Sequence, residues 1–222
     1  GIVEPTGVVR KSVHLGWSEL PLKTEVENAT GVPVIVGNDT NAALVAERFF
    51  GDCSPNSMLI SIGRGVGAAL CLNDVIIEGS SSTAGEIAHV VVDPNGPTCE
   101  RGCLESLVSD DRLQERIAQD PASRTRILAE AGALLGRVMA IPAGLLDLRD
   151  ISIYGAPEIV NAQFIDAMED EIRRTMTTDY QKAPQIHRCR QGEDLTLRGQ
   201  ATIVIRTLVP TIHERGSLIG DA

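Results

Sequence analysis

The stretch SMLISIGRGVGAALCLNDVII, Ser57 to Ile77, decides how the rest of the chain is read. Ser57 to Ile62 is an apolar run of strand length. Gly63-Arg64-Gly65-Val66-Gly67 follows, and Ala68 to Ile77 then reads as two further strands that turn at Asn73-Asp74. A dinucleotide fingerprint needs a helix after its glycines, so that reading fails here, where the glycines join two strands. Two readings of the loop stand. Its backbone N–H groups can cradle an anion, or it is a tight turn that needs positive φ.

Upstream, Val8 to Leu15 and Val32 to Val36 are β-branched runs, and Glu19 to Thr30 between them carries helical periodicity. Thr40 reads as an N-cap for a helix over Ala42 to Phe50, which Gly51 ends. Downstream, Ile87 to Val92 leads into the turn Asp93-Pro94-Asn95-Gly96, and Cys99 to Cys103 sits in a loop. Leu104 to Leu148 is mostly helical, interrupted at Asp120-Pro121 and Ile141-Pro142. Ile151 to Tyr154 is a strand. Glu158 to Met176 carries the stripe Ile159, Phe164, Ile165, Met168 and Ile172, and Leu197 to Leu208 reads as a last helix. The sum is an α/β protein with several antiparallel strands.

Composition narrows the function classes. The 222 residues are 43% hydrophobic and 23% charged, an ordinary globular balance, and 3% aromatic, so the core is aliphatic. Thirty acids against twenty bases give a net charge of -10, the wrong sign for neutralising nucleic-acid phosphates. No apolar run approaches the roughly 18 residues that span a bilayer, and Gly1 to Arg10 lacks a signal-peptide layout, so a cytoplasmic protein without a membrane partner is expected. Five cysteines, of which only Cys99 and Cys103 lie close together, make no disulfide framework. A chain that opens on Gly1-Ile-Val-Glu-Pro reads as the inside of a domain, hence as a fragment.

Two further constellations carry chemistry. Asn38-Asp39-Thr40-Asn41 lies where a strand ends and a helix begins, the place where α/β proteins bind ligands. A carboxylate there can accept a hydroxyl proton while amides hold neighbouring hydroxyls. Thr40 and Asn41 read as caps, and for Asp39 both readings stand. Glu86 and His89, followed by Cys99, Cys103 and Glu105, offer a histidine and two thiolates of the kind zinc takes, one ligand short of a structural site. Trp17 reads as core, and His14, His187 and His213 have no sequence neighbours that suggest chemistry.

Taken in order, six motifs resemble the repressor, open reading frame, kinase (ROK) family. They are Gly1-Ile-Val-Glu-Pro-Thr-Gly-Val-Val, Leu15-Gly16-Trp17, Asn38 to Ala43, Ile62 to Gly67, Ala84-Gly85-Glu86-Ile87-Ala88-His89 and Gly102-Cys103-Leu104-Glu105. The resemblance is close from Gly1 to about Ser109. It implies the actin-like, ribonuclease H-like fold, two α/β lobes around a cleft, with the N-terminal part of the first lobe missing. On that frame residues 1–52 are the remnant of the first lobe, 53–205 the second lobe, and 206–222 a C-terminal helix and tail. The resemblance makes Asp39 the general base of the family's kinases. It makes Asn38, Asp39, Glu86, His89 and Glu105 contacts to sugar hydroxyls, and Gly63, Arg64, Gly65 and Gly67 the phosphate loop. His89, Cys99 and Cys103 become an incomplete zinc set.

The departures from the family pattern decide the functional expectation. The zinc loop is shortened to Pro97-Thr98-Cys99-Glu100-Arg101-Gly102-Cys103-Leu104-Glu105 and keeps two cysteines. Arg64 stands where the kinases carry Thr, and Gly155-Ala156-Pro157 departs from their adenosine contact. Their Asp-x-Gly-x-Thr phosphate loop is absent. The leading reading is therefore the effector-binding portion of a sugar-responsive transcriptional regulator, a homo-oligomer by family custom, taking a sugar or sugar phosphate and meeting DNA only through an upstream segment. The alternative is a fragment of an ATP-dependent sugar kinase, with Mg-ATP held by the full-length chain.

Overall fold

The computed structural model describes residues 1–93, 102–176, 180–190 and 192–208. In chain order the strands are β1 (Ile2–Val3), β2 (Val9–Ser12), β3 (Trp17–Leu20), β4 (Ser57–Ile62), β5 (Val66–Leu72), β6 (Val75–Ile76), β7 (Asp150–Gly155) and β8 (Gln185–Arg188). The helices are α1 (Leu22–Thr30), α2 (Asp39–Phe50), α3 (Leu104–Val108), α4 (Asp110–Gln119), α5 (Arg124–Leu146), α6 (Ala162–Thr175) and α7 (Leu195–Leu208). They fall into two compact units. Unit 1 comprises Gly1–Pro55, Ala69–Gly85 and Arg190–Ala222, and unit 2 comprises Asn56–Ala68 and Glu86–Cys189.

In unit 1, β1, β2 and β3 form an antiparallel sheet in that order. β5 enters unit 1 at Ala69 and pairs antiparallel with β6, Cys71 opposite Ile76. Asn73 and Asp74 between them have φ of 52° and 67°, the positive values that a two-residue hairpin of matching twist demands. α2 and α7 pack together, and an added Cβ at Gly199 would lie 1.8 Å from the Ala42 carbonyl oxygen, so only glycine permits this approach. The Arg206 guanidinium sits 5.5 Å above the Phe49 ring and adds a cation–π contact to the same seam.

Unit 2 is built on the parallel strands β4, β7 and β8, with Leu59, Ser152 and His187 in one register. Parallel pairing needs long crossovers, which the helices supply. Strands covered on both faces read as unbroken apolar runs, and Leu59, Ile60, Ile151 and Ile153 are fully buried. α5 packs on α6 through Gly132, where a Cβ would come 2.1 Å from the Phe164 carbonyl oxygen. The buried stripe of α6 is Phe164, Met168, Glu171 and Ile172.

Several expectations are corrected. Val32–Val36 forms no ladder: Pro33 lacks an N–H, and the Val34 amide instead donates to Glu27 Oε1 at 3.0 Å. Val8–Leu15 keeps only β2 before turning, and Glu19 and Leu20 belong to β3, so α1 begins after Pro21. Ile87–Val92, to which the sequence assigned no element, is a chain of turns with a bridge from Val91 to Cys103. Pro142 lies inside α5 and does not end it. Trp17 is 38% exposed rather than core. By length and composition Pro121–Leu146 is apolar enough to cross a membrane, although Arg124, Arg126, Glu130 and Arg137 interrupt its apolar runs. Half of its apolar stretch is buried, including the face that packs on α6.

Glu171 gives unit 2 a testable pH dependence. Its carboxylate accepts Arg174 Nη2 at 2.6 Å and Arg137 Nε at 2.9 Å. The bonds from Arg174 and then Arg137 hold its carboxyl down at about 2 against an ordinary 4.5. A carboxyl depressed on folding contributes stability that is complete above the unfolded value and is lost as pH falls through the folded one. Chemical unfolding followed from pH 5 to pH 2 is therefore expected to lose roughly 1–2 kcal/mol from this group, discounted because both guanidiniums face solvent. Glu171→Gln should flatten that part of the profile, and an unchanged acid slope in the variant would count against the assignment.

Candidate functional site

The N-terminus of α2 is organised by Asn38, not by Thr40 as the sequence reading had it. The Asn38 side-chain oxygen accepts the Thr40 and Asn41 amides at 2.8 and 3.0 Å, and its Nδ2 donates to the Gly1 carbonyl at 3.0 Å. The cap therefore lies two residues earlier, because the helix already includes Asp39. Asp39 begins the helix with a side chain 72% exposed, and its Oδ1 accepts the Thr40 amide at 3.1 Å. The helix terminus favours its negative charge, and the remaining oxygen is open to a hydroxyl.

In unit 2 the glycine loop spans Gly63 to Gly65, and β5 begins at Val66. The Gly63 amide donates to the Gly65 carbonyl at 2.9 Å, so the loop closes on itself. Glu105, on α3, accepts the Val66 amide through Oε2 at 3.0 Å, and the Asp110 amide at the start of α4 donates to the Gly63 carbonyl at 2.9 Å. The structure thus brings the loop and Glu105 together. Beside them lies a cavity of about 480 Å³ whose walls include Arg64, Glu105, Ser109, Asp111, Arg112 and Glu115. Ser109, Asp111, Arg112 and Glu115 were missed in the sequence. The Ser109-Asp110-Asp111 string is a helix-start signature that locates α4, but only the fold sets that start against the glycine loop.

Asn38 and Asp39 belong to unit 1, whereas Glu86, His89, Glu105 and the glycine loop to Ala68 belong to unit 2. Glu86 and His89 are exposed on the turns before Val91. That segment runs beside the start of α3: the Leu104 and Glu105 amides donate to the carbonyls of Val90 and Ala88 at 3.0 and 2.9 Å. Cys103 is buried next to it, and Cys99 lies outside the described residues. Among the described residues no third ligand joins His89 and Cys103 closely enough to hold an ion.

Two other positions change meaning. Gly155, at the end of β7, is a close-packing point, because a Cβ there would lie 2.7 Å from Val160 Cγ2 and 3.0 Å from the Ile62 carbonyl oxygen. His187, unremarkable in the sequence, sits opposite Ser152, with its Nε2 2.8 Å from the Ser152 hydroxyl.

The chain matches the ROK family model over residues 1–207. It is 40% identical over 116 residues to a glucokinase from Halalkalibacterium halodurans, a match that covers 49% of this chain and 35% of that protein. It is 30% identical over 118 residues to a xylose repressor from Bacillus subtilis, covering 51% of this chain and 31% of the repressor. The matches thus span about a third of each of these relatives. Among solved structures, a ROK family transcriptional regulator described as a homolog of the E. coli MLC protein superposes with a TM-score of 0.81 at 26% identity, covering 91% of this chain and 60% of that one. The shared architecture is the actin-like ATPase, ribonuclease H-like fold. With sequence and fold in agreement across residues 1–207, the chain belongs to the ROK family.

Proposed function

We propose that the chain is the sugar-binding portion of a ROK-family transcriptional regulator, with DNA met by a segment upstream of it. The observation that carries this reading is the state of the glycine loop. Phosphoryl transfer depends on N–H donors and cations positioned around the phosphates. Here the Gly63 amide is spent on Gly65 and the Val66 amide, the first of β5, on the Glu105 carboxylate, so a side-chain anion already takes the donor that follows the loop. A regulator needs a sugar site and no phosphate cradle. Asn38, Asp39, Glu86, His89 and Glu105 are its proposed sugar contacts, pairing amides, imidazole and carboxylates with hydroxyls that both donate and accept. A sugar that favours one state of the protein by a few kcal/mol is then enough to alter DNA affinity through linkage.

The second reading, an ATP-dependent sugar kinase with Asp39 as base, is favoured by the exposure of Asp39 at the start of α2. Calorimetric titration of the chain with D-glucose and D-xylose, alongside an assay for ADP release from Mg-ATP with the same sugars, separates the two. The expected result is sugar binding without ADP release, in the chain and in its full reading frame, with Asp39→Asn weakening the sugar about tenfold. Sugar-dependent ADP release that disappears in Asp39→Asn would establish the kinase instead.

A further inference from the structure

Away from the glycine loop, unit 2 holds a second group of chemistry-bearing side chains, at the other end of its parallel strands. We infer that Asp150 and His187 bind a divalent metal ion of the zinc class, which pins β8 to β7. This inference stands apart from the sugar-binding reading above.

The strand register builds the group. Ser57, Asp150 and Gln185 form one row across β4, β7 and β8, and two positions further on Leu59, Ser152 and His187 form another. Side chains in one row share a face, as do those two positions apart along a strand, so Ser57, Asp150, Ser152 and His187 rise from the same face. They do so where β4 and β7 begin, whereas the glycine loop follows the end of β4 at Ile62. A carboxylate oxygen of Asp150 and a ring nitrogen of His187 lie within 4.8 Å of each other. That is close to the span of two ligands on one ion with bonds of about 2.0–2.2 Å. Asp150 is 4% exposed and His187 is half-buried. Carboxylates are seldom so deeply buried unless they are paired or coordinate a metal.

Three features around the two residues fit an ion. The Ser152 hydroxyl lies 2.8 Å from His187 Nε2. Accepting the Nε2–H fixes the ring and leaves the lone pair on Nδ1, the orienting bond that a metal-bound imidazole carries. The Ser57 hydroxyl, fully buried in the row of Asp150, has no hydrogen-bond partner among the described residues. A water on the ion supplies one. Last, β8 needs a fastening: of its four residues Ile186 alone is buried, so little apolar area holds the strand. A carboxylate engaged through both oxygens, His187 Nδ1 and one water make up the four positions that zinc prefers. An imidazole in the set favours zinc or cobalt(II) over calcium and magnesium, which take oxygen ligands. The ion is structural, because small-molecule ligands of parallel sheets gather beyond the carboxyl ends of the strands and this group sits where they begin.

The test is titration of the metal-free 222-residue chain with zinc and with calcium, followed by metal content and melting temperature. The chain is expected to take up about one equivalent of zinc at this site, to melt higher with zinc than with EDTA, and to show no response to calcium. His187→Gln and Asp150→Asn should each abolish the uptake and the zinc-dependent rise in melting. Ser152→Ala, which keeps both ligands, should weaken zinc about tenfold. His89→Ala and Cys103→Ser, which alter the segment beside α3, should leave the equivalent in place. A metal-free melting temperature within about 2 °C of the unaltered chain assigns the loss in a ligand variant to the ligand itself. Where a ligand variant falls further than that, Ser152→Ala decides. Zinc uptake that survives both His187→Gln and Asp150→Asn, uptake indifferent to Ser152→Ala, loss in Cys103→Ser alone, or no uptake by the unaltered chain overturns the inference.

Discussion

Gly199→Val is expected to lower the melting temperature of the chain by roughly 6–12 °C, corresponding to about 3 kcal/mol. At Gly199 the helix α7 meets α2 so closely that a Cβ would sit 1.8 Å from the Ala42 carbonyl oxygen. That atom belongs to backbone inside a helix and cannot swing aside as a side-chain tip would, so the helices must separate. Separation would expose Leu195, which lies one turn before Gly199 on the same face of α7, and weaken the Arg206 contact with Phe49. Ala42 follows Asp39 within the first turn of α2, so the same change should disturb the Asn38 cap and, under the function proposed above, weaken sugar binding. Differential scanning calorimetry with and without sugar reads both effects. A melting point within about 2 °C of the unaltered chain would mean that the seam is looser than described.

Gly132→Leu should be comparably damaging in unit 2, again by about 3 kcal/mol, because a Cβ at that position lies 2.1 Å from the Phe164 carbonyl oxygen. The informative control is on the same helix. At Gly144 the nearest atoms to a Cβ are side-chain ends 3.7 Å or more away, an ordinary contact distance. Gly144→Ala should therefore stabilise the chain by about 0.5–1 kcal/mol, since alanine loses less backbone entropy in a helix than glycine does. Urea unfolding of the two variants should move the midpoint in opposite directions. A shared direction would show that helix propensity, and not the approach of α6, governs both sites.

How far the sequence could be read depended on whether the information was local. Ser57–Ile62 and the hairpin at Asn73-Asp74 were legible because strand length, apolar run and turn chemistry all lie within a few residues. Val32–Val36 has the same β-branched character and pairs with nothing among the described residues, because propensity names a conformation and not a partner. β8 went unread because its four residues, Gln185–Arg188, form a short strand with polar residues at three positions. At the site, Asn38, Asp39 and Glu105 stood out from their motifs. The cap role of Asn38 and the grip of Glu105 on Val66 did not, and the latter joins residues 39 positions apart.

By itself the sequence determined the α/β class, the strand-to-strand glycine loop that excludes a dinucleotide fingerprint, and the resemblance to the ROK family, since each is written in runs and spacings along the chain. Tertiary structure decided which loop donors are spent, where Ser109 and the acids of α4 come to lie, and why Gly132 and Gly199 admit no other residue. The physical reason is one of range. Propensity and turn chemistry act over neighbouring residues, whereas hydrogen-bond satisfaction and close packing are set by whatever atom the folded backbone brings within about 3 Å.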